Sequence, residues 1–190
     1  MSDGANMGAV PRPVRIAISG KSGCGNTTIS RMVAEFLGLR FINFTFRSLA
    51  AEKDLSLGEV LSLAAQDDAW DREVDSRQVA LAREEGGCVL GSRLAIWMLP
   101  EADFKVYLKA RPETRARRIL KREGGTLESV AAFTAERDRQ DHERYVRIYH
   151  IDTDEYAFAD LIIDTDAITP PQITDLIIAN AARSLAGRAK

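Results

Sequence analysis

The sequence predicts an α/β protein whose parallel sheet is covered by helices on both faces. Three observations predict it. Short apolar runs alternate with segments of helical period, the first run opens into a glycine-rich loop, and the length suits a single core. At 190 residues the chain corresponds to one domain of the usual size, roughly 150 residues. Its 45% apolar content supplies a core that needs neither disulfides nor a structural metal.

Residues 1–13 (MSDGANMGAVPRP) are small, polar and proline-bearing, and are expected as a flexible tail before a single domain over 14–190. Residues 14–19 (VRIAIS) form an apolar, β-branched run ending at glycine, which reads as a buried strand. Ile29, Met32, Val33, Phe36 and Leu37 then recur at helical spacing, and Gly38 closes that helix. A second strand is predicted over 41–44. The stretch after Phe46 reads as helical, with Ser56 and Glu59 in capping-box register. A long helix over 70–85 ends at Gly86 and Gly87, and strands follow at 88–90 and 104–108, separated by GSRLAIWMLPEAD. Pro112 stands where a helix begins. Another helix runs over 126–149, a last strand over 161–163, and Thr169, Pro170, Pro171 and Gln172 cap the final helix.

The formal charge of −2 excludes a basic field over the whole protein, and with it a general nucleic-acid binder. Locally the balance is uneven. Residues 51–75 hold eight acids against two bases, and residues 111–122 hold six bases against one acid. Arg115, Arg118 and Arg122 share one stripe of that second segment, where like charges disfavour a helix unless an anion neutralises them. Only Tyr107 lies near it, so the interleaved aromatics of a single-strand binder are missing. Cys24 and Cys88 match neither a disulfide framework nor a zinc site, which points to a reducing compartment. No apolar run reaches about 18 residues. A cytoplasmic protein with no membrane partner is expected. His142 and His150 read as too isolated to form a metal site.

Gly20, Lys21, Ser22, Gly23, Cys24, Gly25, Asn26, Thr27 and Thr28 follow the first strand. They fit the phosphate-binding pattern G-x-x-x-x-G-K-[ST] at every position but one, where Asn26 replaces lysine. Such a loop curls its N–H groups around a phosphate at a helix N-terminus, and its Thr27 hydroxyl is placed for Mg²⁺. Asn26 can donate a hydrogen bond but brings no charge. Lys21 either swings toward the same phosphates in place of the missing lysine or stays solvated while arginines supply the charge.

Several separated motifs then coincide: GKSGCGNTT, Phe46-Arg47, WDREVDSRQ, GSRLAIWML, RARRILKREG and ERDRQDHERY. Over 15–182 the chain resembles the cytidylate kinases, in particular the short archaeal-type branch of the nucleoside monophosphate kinase family. The resemblance implies a P-loop NTPase three-layer αβα fold with a central parallel sheet, and transfer of the γ-phosphoryl group of ATP to CMP or dCMP with Mg²⁺. It also implies a core over 14–45, 88–118 and 158–190, a monophosphate-binding insertion over 46–87 and a mobile lid over 119–157, acting as a monomer on small nucleotides.

By the same resemblance Arg47 and Arg93 grip the acceptor phosphate. Arg137, Asp141 and Arg144 share one helix face, the arginines on phosphates and Asp141 placing the nucleotide. Asp71, Asp75 and Gln78 share another face, where base and sugar are contacted. Arg115 and Arg118 with the loop are assigned to ATP, and Lys21, Arg137 and Arg144 to catalysis. Without the flanking motifs both helix faces also read as ordinary ion-pair ladders. Trp97 and Met98 serve either packing or base stacking. Gly91 departs from the acidic residue common at that place in the family. Two other classes stay open: a kinase for another monophosphate or small metabolite, and a nucleotide sensor without turnover.

Overall fold

In the computed structural model, which describes residues 14–84 and 87–188, β1 (Arg15–Gly20) runs through the middle of the sheet. It is buried from Ile16 to Gly20, as a strand covered on both faces must be. β2 (Arg40–Ile42), β3 (Cys88–Gly91), β4 (Phe104–Lys109) and β5 (Leu161–Asp164) complete a five-stranded sheet in the order β2-β3-β1-β4-β5. Every pairing is parallel, with Ile18 opposite Gly91 on one side and Val106 on the other. The order reverses beside β1, so the ligand crevice belongs at the carboxyl ends of β1 and β3.

Helices cover both faces, as predicted. Ile29 and Val33 of α1 (Asn26–Leu37) and Ile173 and Ile177 of α8 (Pro170–Arg188) pack with Ile16, Ile18, Val106 and Leu108 on one face. Val79 and Ala82 of α4 (Ala69–Glu84) and Ile96 of α5 (Ala95–Met98) pack on the other, against Ala17, Leu90 and Tyr107. α6 (Pro112–Glu123) and α7 (Leu127–Tyr149) share a small core of Ala116, Ile119 and Val130.

Three details differ from expectation. The acidic segment after Phe46 is two helices, α2 (Phe46–Glu52) and α3 (Leu57–Ala64). The chain turns between them at Asp54, whose φ of 54° is left-handed. Ser56 and Glu59 do form the anticipated capping box at the start of α3, with Glu59 Oε2 accepting from Ser56 N at 2.8 Å. The single turn α5 lies inside the segment read as a connector. β2 ends at Ile42, earlier than the predicted 44. Residues 1–13, Glu85 and Gly86, on which the tail and part of a helix end were placed, lie outside the described residues.

Trp97 and Met98 pack against the α4 and α5 side of the sheet. Trp97 stands edge-on to Tyr107 and Phe158, with ring centroids 6.0 and 5.8 Å away, and Tyr107 stacks on Tyr156 at 3.9 Å. This aromatic group pins the segment that returns from α7 to β5. The packing alternative for Trp97 is the one observed.

Candidate active site

A cleft of about 1070 Å³ opens at the carboxyl ends of β1 and β3. The loop from Gly20 to Thr28 forms one wall, α4 and the residues after β3 a second, and α6 and α7 a third.

The loop is held from behind. Arg115 Nη1 donates to Ser22 O at 3.1 Å, Arg118 Nη1 to Gly23 O at 3.4 Å, and Thr165 Oγ1 to Cys24 O at 3.3 Å. A trans peptide sets its N–H opposite its carbonyl. With these carbonyls turned toward α6 and β5, the N–H groups of Gly23 and Gly25 face the other way. Cys24 N–H is used inside the turn, by Lys21 O at 3.1 Å. Gly23 has a φ of 84°, and a Cβ there would come within 2.9 Å of the Arg115 backbone oxygen, so only glycine fits. The Cys24 thiol is buried beneath the loop, and desolvation pushes its pKa up to about 11.

This geometry corrects one expectation for the arginine stripe. Arg115 does not line the cleft: its side chain is 6% exposed and pairs with Asp138 of α7 at 2.6 Å. The neutralising anion is therefore a carboxylate of the chain itself. Arg122 lines the cleft, in an exposed pair with its neighbour Glu123 at 2.5 Å. Arg118 does reach the cleft, yet among the described residues its guanidinium bonds only neutral groups, including Thr165 O at 2.6 Å.

Asn26 is a strut. Its Nδ2 donates to Ser92 O and its Oδ1 accepts from Ser30 Oγ, both at 2.9 Å. The helix start is thus tied to the segment after β3, and both ends of the amide are occupied. Gly91 belongs to the same arrangement, because a Cβ there would lie 2.5 Å from Ser30 Oγ and 2.6 Å from Ser30 Cβ. The two departures from pattern, at 26 and at 91, are contiguous through Ser30.

Thr27 is exposed on the cleft wall, and its Oγ1 accepts from Asn43 Nδ2 at 3.4 Å. A hydroxyl here suits Mg²⁺, which keeps most of its water and phosphate ligands and needs few from protein. The residues fit that ion as a phosphate-borne cation with one protein oxygen. Lys21 also lines the cleft, but its Nζ is 2.6 Å from Asp154 Oδ1 in the segment after α7. It is partly exposed, but not free. His142, read as isolated, lies beside that same segment, with Nδ1 3.5 Å from Asp152 Oδ1.

A chain of alternating charges crosses the cleft floor. Arg93, just beyond β3, pairs with Asp141 Oδ2. Asp141 Oδ1 takes Arg144 Nη2 at 2.7 Å, and Arg144 Nε lies 3.2 Å from Asp71 Oδ1. Burial raises the Asp71 pKa, against the pull of Arg144. The helix faces inferred for 137–144 and 71–78 therefore do meet. Arg137 lines the cleft with no acid partner among the described residues, and its pKa is lowered by desolvation and by Arg93. Lys121 shares that wall, also without a partner carboxylate among the described residues. Arg47 is exposed near the start of α2 and does not reach the wall, although Phe44, Thr45 and Phe46 do.

Asp75 accepts from Tyr149 Oη and from Gln78 Nε2, each at 2.7 Å. Desolvation still carries its pKa up to about 6, opposed first by the Tyr149 hydroxyl. Gln78, 2% exposed, was grouped with these acids by helix spacing. Neither its Oε1 nor the buried hydroxyl of Ser92, both without a partner among the described residues, gives any signal in a linear sequence.

Fold and cleft together define a phosphotransferase-type P-loop architecture. Shikimate kinase from Acinetobacter baumannii matches with a TM-score of 0.62 at 18% identity, over 94% of this chain and 97% of that one. Deoxyadenosine kinase from M. mycoides matches with a TM-score of 0.51 at 14% identity, over 87% of this chain and 97% of that one. At such identities the likeness is one of fold. The narrower assignment comes from sequence: residues 15–167 match the model of the cytidylate kinase-like family, and the chain belongs to that family. Cytidylate kinase 2 of Borreliella afzelii is 45% identical over 168 residues, covering 86% of this chain and 94% of that protein. Cytidylate kinase of Pyrococcus horikoshii is 40% identical over 164 residues, 85% of each chain.

Two variants test the site's electrostatics. Arg115→Met strands the Asp138 carboxylate and is expected to lower stability without nucleotide by about 3–5 kcal/mol in urea unfolding. Unchanged stability would make Arg115 a ligand residue after all. For Asp75, the folded carboxyl holds its proton to about pH 6, whereas the unfolded chain releases it near pH 4. The folded state then binds more protons across that window, so stability falls as pH rises. Relative to Asp75→Asn, the wild type should lose up to about 3 kcal/mol between roughly pH 4 and pH 6, then run level. A flat difference refutes the shift.

Proposed function

We propose that this chain is an ATP-dependent (d)CMP kinase, transferring the γ-phosphoryl group of ATP to CMP or dCMP to give ADP and CDP or dCDP. The observation that carries the reading is charge placement. Arg118, Lys121 and Arg137 stand on the cleft wall without an acid partner among the described residues, facing a loop whose N–H groups are presented to the same space. Phosphoryl transfer asks for little else than in-line positioning and neutralisation of the moving group.

In this reading the loop N–H groups hold the ATP phosphates, and Thr27 Oγ1 holds Mg²⁺. The ion neutralises charge shared between phosphate oxygens. Asp141 orients Arg93 and Arg144, which with Arg137 surround the acceptor phosphate. Guanidinium forks suit that task, because they grip phosphate oxygens in pairs. Lys21 leaves Asp154 for the phosphates and supplies the charge that Asn26 lacks. Its present pair is exposed and worth at most about 1 kcal/mol, so a polyanion outcompetes it.

The segment over 46–87 acts as the monophosphate-binding insertion, and Arg47, now outside the cleft, comes in as α2 moves. The segment over 119–157 closes as the lid and excludes water that would hydrolyse ATP. No helix among the described residues is long and apolar enough to cross a membrane. The proposed enzyme is cytoplasmic and acts as a monomer on small nucleotides.

ADP release measured with ATP, Mg²⁺ and each of CMP, dCMP, UMP, AMP and GMP should be fastest with CMP or dCMP. Absence of turnover with all five sinks the kinase, and a preference for AMP reassigns its acceptor. Lys21→Ala is expected to lower kcat by about tenfold or more, the loss of one charge-assisted contact. Intact turnover would leave Lys21 a surface residue.

A further inference from the structure

Gln78 holds one atom that the fold does not use. The residue is 2% exposed and lies on the cleft wall among Asp71, Val74 and Asp75. Its Oε1 has no hydrogen-bond partner among the described residues. An unpaired buried acceptor carries a desolvation penalty, so such atoms call for an explanation.

Which end of the amide is unpaired is settled by Asp75. Once ionised, above about pH 6, its carboxylate only accepts, so the group 2.7 Å from its Oδ1 is the NH₂ end of Gln78. Tyr149 Oη donates to the other oxygen, also at 2.7 Å. With both its oxygens occupied, and anchored by α4 and α7 together, Asp75 keeps the amide from flipping. The α4 wall therefore holds a fixed acceptor with no donor among the described residues to meet it.

The geometry points to Gln78 as the residue that selects the acceptor base, its Oε1 accepting a hydrogen bond from an exocyclic amine on the ring. Cytosine carries an NH₂ at C4. Uracil carries a carbonyl there, and two acceptors facing each other repel. Oε1 is closed to water in this form, so the amine meets it as the α4 wall shifts around an entering base. Discrimination then includes the penalty of leaving a buried acceptor unpaired when the wrong base is bound. Asp75 and Tyr149 are positioning residues in this scheme: they act through the amide. The inference rests on the acceptor reading above, naming the group that enforces it.

Equilibrium binding of CMP, UMP and the ribonucleotide of pyrimidin-2-one, which is CMP without its amine, is compared for the wild type and Gln78→Met. The wild type is expected to bind CMP about tenfold to a hundredfold more tightly than either analogue. In Gln78→Met that preference should collapse, CMP weakening while UMP does not. Equal wild-type affinities, or no affinity for CMP, overturn the inference, and so does a variant that weakens CMP and UMP alike, as a packing role would. The wild-type comparison needs no variant and stands if Gln78→Met fails to fold. Turnover separates the two proposals. Selective CMP binding without ADP release ends the kinase reading and leaves Gln78 its role, whereas CMP turnover with an unchanged CMP:UMP ratio in Gln78→Met does the reverse.

Discussion

A loop can offer its N–H groups to an anion only if its carbonyls are engaged elsewhere, and the site depends on that condition. Ser22, Gly23 and Cys24 direct their carbonyls at Arg115, Arg118 and Thr165. Arg115 in turn is set by Asp138, so α7 determines the loop's shape through α6. The sheet contributes through Thr165, which follows β5 directly and also accepts from Arg118. The loop, α6, α7 and the last strand form one connected support.

The same scaffold divides the arginines into two populations. Arg93, Arg115 and Arg144 are matched by carboxylates, and they fix where the elements sit. Arg118 and Arg137 meet only neutral groups or none among the described residues. Buried pairs of the first kind contribute more to geometry than to net stability, since desolvation consumes much of the attraction. Unmatched cations of the second kind raise the free energy of the empty cleft and lower it when a polyphosphate enters.

Much of this was legible in the sequence because it depends on local order. Strand, loop and helix around residues 14–37, the capping box at Ser56 and the shared faces of Asp71, Asp75 and Gln78 all follow from spacing. What spacing does not carry is the choice of partner. Arg115 lies 23 residues from Asp138, and only the packing of α6 on α7 brings them together, so its stripe reads as a ligand face. Lys21 is separated from Asp154 by almost the whole fold. The break at Asp54 rests on one left-handed residue that the helical period of its neighbours conceals.

Asn26, Ser30 and Gly91 occupy one small volume, and their contact restricts how this chain can change over time. An acidic side chain at 91 has no room while Ser30 is present, and alanine at 30 would still leave a Cβ within 2.6 Å. Shortening Ser30 first removes the hydroxyl that Asn26 Oδ1 accepts from. Each single step passes through a poorer protein, although a combined change need not. The loop sequence without lysine is thus held in place by its neighbours, independently of any merit it has for the chemistry, and lineages carrying this triad are expected to keep or exchange its members as a set.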